Sequence, residues 1–384
     1  MPFISITLFI RAICALFVTF FWGYGPVWAN TWQDNLYFNG FFTLDVTRSA
    51  SDLGLVGAAG EFRMYYEDEV NVKNSLVGGQ LEYQLSDNLG VVIQGAGYFN
   101  TSGSFAASLD WAYASYDFGQ DTVARLGKFQ IPFLQGTELR KVGYSRLWAR
   151  PLIPGNGASG FNDYLGAEVL KQFSGSHDYW EFQLAAGEVE HELTEIQGEN
   201  MELLSLRYGR KNGWLRGALM QADYMLVLPG EISGADEVLM GSLEGELLLG
   251  NYRLNLGYSY SEADLTPDDT MHYFSLAYAY SEFSPYIFAA RLKLDFDGLL
   301  PAHEPMPEPW PEQEPSPEQE LLQLLPRGDI TLTSIAAGVR WQLSEQLVVK
   351  AQLENLGISD EVQLETDSVV DGGNILTLVL DGVF

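Results

Sequence analysis

The chain has 384 residues, 21 basic against 51 acidic, and its formal net charge of −30 excludes nucleic acid as a partner, because phosphate binding needs basic surface. Its single cysteine, Cys14, sits in an N-terminal leader, which excludes disulfides, thiolate chemistry and cysteine metal sites from the remainder. Hydrophobic residues make up 47% and aromatics 13%, yet past the leader no helix-length apolar run or long 3.6-residue period gathers them.

The first element is that leader, residues 1–29. Arg11 is followed by an apolar run from Ala12 to Trp22 and by small residues at Val27 and Ala29. This is the pattern of a secretory signal peptide, with cleavage expected after Ala29. The run is short for a membrane span of about 20 residues. Residues 30–384 follow a different rule, the two-residue period of strands. The first strand is expected in "LYFNGFFTLDV". Tight-turn clusters then recur at 86–88, 119–121, 174–178, 211–213, 250–251, 282–284 and 344–346, each built from Gly, Asn, Asp or Ser or a polar neighbour of them. Long polar segments lie between successive tight turns. Counting two strands per tight turn, with one more at each end, predicts about sixteen.

Three stretches show the period clearly. Tyr252, Leu254, Leu256, Tyr258 and Tyr260 oppose Arg253, Asn255, Gly257, Ser259 and Ser261. Tyr286, Phe288, Ala290, Leu292, Leu294 and Phe296 oppose Ile287, Ala289, Arg291, Lys293 and Asp295, and Ile335, Ala337, Val339, Trp341 and Leu343 oppose Ser334, Ala336, Gly338, Arg340 and Gln342. Strands of about ten residues, apolar on one face and charged or small on the other, suit a barrel with lipid outside and water inside. The expected fold class is therefore all-β, a transmembrane antiparallel β-barrel with short periplasmic turns and long extracellular loops. Residues 297–328 hold half of the chain's 16 prolines, interleaved with glutamates, and are expected as an extended, solvated extracellular loop. The last strand, "ILTLVLDGVF", has to pair with the first, since an open edge in lipid leaves backbone groups unsatisfied.

In that last strand Leu376, Leu378 and Leu380 alternate with Thr377, Val379 and Asp381 up to Phe384, and this resembles the C-terminal assembly signal of bacterial outer-membrane proteins. With the leader and the loop asymmetry, residues 30–384 resemble a Gram-negative porin of the sixteen-stranded type. Gly382 departs from the pattern, because the family carries a large apolar or aromatic residue there. The resemblance implies a cell outer-membrane location, contact with lipid and lipopolysaccharide, recognition by the barrel-assembly machinery, a homotrimer, and passive diffusion of small hydrophilic solutes and ions without cofactor or catalysis. The alternatives are an anion-specific, phosphate-type binding channel and a non-channel structural or adhesive barrel.

In porins the third long loop folds inward and narrows the channel. Here that loop is 131–163, and by analogy Arg140, Lys141, Arg146 and Arg150 are constriction candidates, with Glu138 as counter-charge. The acidic Pro-Glu-Phe-Gly-Gly motif of general porins is absent, so their selectivity does not transfer. Strand parity nominates Arg125, Arg253, Arg291, Lys293 and Arg340 for the water-facing wall, along with Glu181 and Glu354; Arg216 fits either face. A charge on the lipid face costs about 2–4 kcal/mol at the midplane, which makes inward placement the default. Gly155, Gly157 and Gly160 match G-x-G-x-x-G formally but follow no strand and open no helix, so they read as loop glycines. His177, His191, His272 and His303 lack ligand spacing, and no hydrolase or zinc-protease motif occurs, so neither a catalytic group nor a metal is expected.

Overall fold

Strands that are apolar on one face and polar on the other can satisfy lipid, water and every backbone hydrogen bond at once only by closing on themselves. They do so in the computed structural model, which describes residues 35–51, 53–56, 62–65, 67, 69–99, 104–134, 136–150, 161–191, 197–228, 231–263, 268–295, 329–358 and 372–384. The leader, residues 151–160 of the third loop and the proline-rich loop lie outside them.

Sixteen long strands form one antiparallel barrel. They are β1 (Leu36–Ser49), β2 (Leu76–Gln84), β3 (Leu89–Phe99), β4 (Phe105–Gly119), β5 (Thr122–Gln130), β6 (Phe161–Ser174), β7 (Asp178–His191) and β8 (Gln197–Arg210). Then come β9 (Gly213–Leu228), β10 (Glu231–Leu249), β11 (Tyr252–Glu262), β12 (Asp268–Tyr278), β13 (Phe283–Asp295), β14 (Ile330–Gln342), β15 (Leu347–Ile358) and β16 (Gly373–Val383). Each pairs with its sequence neighbour, and β16 returns to β1 in a register running from Phe41 opposite Val383 to Ser49 opposite Ile375. The seam is completed by the Gly40 amide donating to the Phe384 carbonyl at 2.7 Å and the Phe384 amide donating to the Gly40 carbonyl at 2.9 Å. A short ribbon of Leu53–Val56 with Phe62–Tyr65 lies between β1 and β2.

The tight turns fall where the sequence placed them. At 119–121 the chain turns through positive φ at Gly119, Gln120 and Asp121 (75°, 53° and 56°), a left-handed path that the right-handed twist of a hairpin favours. Among the described residues no helix is long and apolar enough to cross a membrane; the crossing is made by strands.

Which face is which follows from accessibility, because a single-walled barrel buries side chains mainly inside. On β14 Ser334 is 0% exposed while its neighbour Ile335 is 65% exposed. Leu353, Leu376, Leu378 and Phe384 are likewise outward, whereas Lys350, Gln352, Glu354, Thr377 and Asp381 point in. The parity expected for β11 and β14 agrees with this. On β13 it is reversed. Tyr286, Phe288, Ala290 and Leu292 are buried in the lumen, and Ile287 and Arg291 face outward. The lumen itself is divided. Towards the long-loop ends the inner wall is apolar, with Met201, Met220, Met240 and Met271 beside Leu203, Val238 and Leu292, all packed in one cluster with Ile131, Phe133 and Leu134 of the third loop. Elsewhere it carries buried polar and charged side chains, among them Lys350, Gln352, Glu354, Thr377 and Asp381.

Candidate pore constriction

The third loop leaves β5 at Gln130 and is held inside the barrel rather than over its mouth. Its first stretch docks on the far wall. Arg216 on β9 donates from Nη2 to the Pro132 carbonyl, and Ser242 on β10 donates to the Phe133 carbonyl at 2.7 Å. Further along, Lys141 Nζ lies 2.6 Å from Asp110 Oδ1 and donates to Ser108 Oγ at 2.6 Å, tying the loop to β4. A single 3₁₀ turn, Gly143–Ser145, follows, and Lys350 on β15 donates to the Gly143 carbonyl at 2.7 Å. Counted around the ring, β4, β10 and β15 stand six, five and five strands apart. Three attachments so distributed stretch the loop across the lumen.

The loop's last described residues pack on β12–β15. Leu147 joins Ala277, Tyr286, Phe288 and Ala336 in an apolar cluster, with Trp148 at its edge. The Ala149 amide donates to Tyr286 Oη at 3.2 Å and to Gln352 Oε1 at 3.1 Å. These contacts are the physical reason for the reversed parity of β13. Its aromatic residues have an apolar partner inside the pore and need no lipid.

Charged side chains occupy the lumen in opposed groups. One group centres on Glu168 of β6, which pairs with Arg125 and accepts hydrogen bonds from Tyr164 and Gln183, each at 2.8 Å. Nearby, Glu244 accepts from Tyr273 Oη at 3.0 Å and lies 3.7 Å from Arg216, whose Nε donates to Ser205 at 2.9 Å. Glu138 on the loop belongs to this group: burial pushes its carboxyl above the usual 4.5, against the pull of Arg216 and Arg125. A second group centres on Asp381 of β16. Lys350 Nζ approaches it at 2.8 Å and Thr43 donates to it at 2.6 Å. Asp45 and Asp381 both attract Arg146, although burial and the like charge of Arg140 pull its guanidinium below its ordinary value. Arg150 Nε lies 3.7 Å from Glu354.

The candidates named from sequence are thus dispersed among distinct environments. Lys141 and Arg150 are 2% and 5% exposed and engaged with wall carboxylates. Arg140 and Arg146 are half-buried on the loop, Arg125 is on the inner wall, and Arg253 and Arg340 stand near the tight-turn mouth. Arg291 lies outward, and Lys293 shares its parity, pairing with Asp329 at 2.6 Å and Asp295 at 3.1 Å. For these two the expectation of a water-facing wall position is corrected, because β13 turns its apolar face to the loop. Glu181 and Glu354 share the inward parity of buried neighbours. Lumenal charged residues not singled out from sequence include Lys350, Asp381, Asp45, Asp110, Glu168 and Glu244. The first two were in reach, since Lys350 shares parity with Glu354 and Asp381 lies opposite the leucine row.

This barrel, apolar outside and crossed inside by a loop, is a multi-pass β-barrel of the outer-membrane type. No family model matches the chain, and no curated protein does. Solved structures do resemble it. Salmonella typhi OmpF in complex with daunomycin aligns with TM-score 0.57 at 11% identity over 91% of this chain and 98% of that one. The anion-selective porin from Comamonas acidovorans aligns at 0.53 and 14% over 91% and 99%. A trimer form of in-vitro-folded OmpT, an outer membrane protein of Vibrio cholerae, aligns at 0.52 and 10% over 91% and 99%. The fold is the sixteen-stranded porin fold.

Proposed function

We propose that the protein is an outer-membrane porin, passing small hydrophilic solutes and ions by passive diffusion through a lumen narrowed by residues 131–150. The observation that carries this reading is the loop's three-point attachment across the barrel, a placement that serves a channel and has no use in a barrel acting only through its outer loops. Arg125, Glu138, Arg140, Arg146, Arg253 and Arg340 are the residues proposed to line the path, with Lys141 and Arg150 as anchors of the loop. The leader is proposed to direct export. Leu376, Leu378, Leu380 and Phe384, which form an outward row, are proposed as the element read by the assembly machinery. A homotrimer fits the trimer form of the Vibrio cholerae protein, with lipid and lipopolysaccharide around it.

Planar-bilayer recording tests this. Wild type should give stepwise unitary conductance, and replacing residues 136–149 by a short Gly-Ser link should raise the step about twofold or more, because an unobstructed barrel of this size leaves a wide aqueous channel. Absence of any steps from heat-modifiable, folded protein sinks the channel reading. An unchanged step in the loop variant shows that the loop does not restrict the path.

A further inference from the structure

Beside the tight-turn mouth, below the loop's 3₁₀ turn, the lumen wall opens into a cavity of about 420 Å³. Its lining includes three arginines, Arg146 from the loop, Arg253 from β11 and Arg340 from β14, together with Ser145, Asn251 and Ser284. No carboxylate lines it among the described residues. In a chain of net charge −30 such a local surplus of cations is unexpected, and it is held against a cost. Arg253 and Arg340 repel one another, and Arg146 is desolvated, with Nε and Nη1 buried and without a hydrogen-bond partner among the described residues. The available counter-charges stand outside the cavity: Glu246 approaches Arg253 at 3.5 Å, and Asp381 attracts Arg146 and Arg340. Arg340 is steadied by lying over the Tyr144 ring at 5.5 Å, and that ring's hydroxyl donates to the Glu345 carbonyl at 2.5 Å.

Guanidinium forks match tetrahedral oxyanions in geometry as well as charge, and Ser and Asn side chains supply further donors for the remaining oxygens. A volume of this size lies within the range of small-ligand sites, with space beyond a bare phosphate for an organic substituent. We infer that the Arg146–Arg253–Arg340 cavity is an oxyanion-binding station at the tight-turn mouth, taking phosphate or a phosphate ester in transit. It deepens the channel reading and rests on it, since a station in transit presupposes a path.

The test uses the full chain in planar bilayers bathed in potassium chloride, with inorganic phosphate and glucose 6-phosphate titrated in separate arms. Wild type should show saturable reduction of the chloride current. The double variant Arg253→Gln/Arg340→Gln, checked for heat-modifiable mobility, should raise the half-blocking concentration about tenfold or more, equivalent to about 1.4 kcal/mol of binding. Arg291→Gln, on the outer face, should leave it unchanged. Stronger block by the sugar phosphate identifies an ester station, and block by phosphate alone identifies the free ion. Equal block in wild type and double variant, or none in a conducting wild type, overturns the proposal. If wild type does not conduct, the channel reading fails by itself. Calorimetric titration of phosphate into the detergent-solubilised full chain then decides the site: binding heat lost in the double variant supports it, and absence of heat overturns it.

Discussion

Gly382 is the residue at which the last strand departs from the family's large side chain, and its neighbour across the seam accounts for it. A Cβ added there would run into the ring of Phe42, which lies over the glycine from β1, and on the same seam Gly40 lies beneath the ring of Phe384. The aromatic surface missing from one strand is supplied by its partner, a pairing that also covers a backbone otherwise bare. Gly382→Leu should therefore overpack the seam and cost about 1–3 kcal/mol. The measurement is the temperature at which the folded band is lost in semi-native electrophoresis. It should fall in the single variant and be largely regained when Phe42→Ala is added, and a single variant as stable as wild type would show that the ring yields freely.

The loop and β13 are elements whose behaviour the linear pattern reports unequally. Strands, turns and the first-to-last closure were legible because each follows from a period of two and a short list of turn residues. That the loop enters the lumen was legible only through resemblance. The direction of β13 was not legible at all: Ile287 and Phe288 are both apolar, and the choice between them depends on Leu147 and Trp148 arriving from a distant segment. Equally hidden was the pairing of the loop's cations, since Asp110 and Glu354 are ordinary polar positions until the loop lies against them. Glu138, a carboxylate in the lumen-crossing part of the loop, gives the element a pH dependence. Burial raises its pKa, so on acidification it takes up a proton above the usual 4.5, and Arg216 and Arg125 lose a counter-charge. The lumen becomes more positive as pH falls. Reversal potentials in a salt gradient should thus move towards anion preference on acidification, with a midpoint above the usual 4.5, and Glu138→Gln should remove that step. A shift that persists unchanged in the variant assigns it to another carboxylate.

For the molecule as a whole, two sources of field compete. The chain carries a net charge of −30, while the described lumen pairs Lys141 and Arg150 of the loop, and Lys350 of the wall, with wall carboxylates. Ions within the pore feel nearby fixed charge at any salt, whereas distant carboxylates act only within the screening length, about 8 Å at physiological salt and about 30 Å at 0.01 M. Selectivity should be weak, with a slight anion preference at moderate salt, and should pass to cations as salt is lowered. Reversal potentials at a fixed concentration ratio but falling mean concentration check this. A sign that stays constant over that range would mean that lumenal charge alone sets selectivity.

The seam between β1 and β16 has a consequence in time as well as in space. Fifteen of the strand pairings join sequence neighbours and can form by successive hairpins, but the Thr43–Asp381 hydrogen bond joins residues 338 positions apart. Contacts of such separation are slow to find, although the entropy of closing the ring grows only with the logarithm of its length. Closure is therefore the natural last event of folding, and its reversal the natural first event of unfolding. The lifetime of the folded barrel is then set by how rarely this one pairing opens, and the aromatic-covered glycines and buried Lys350–Asp381 pair lie at the place where opening would begin.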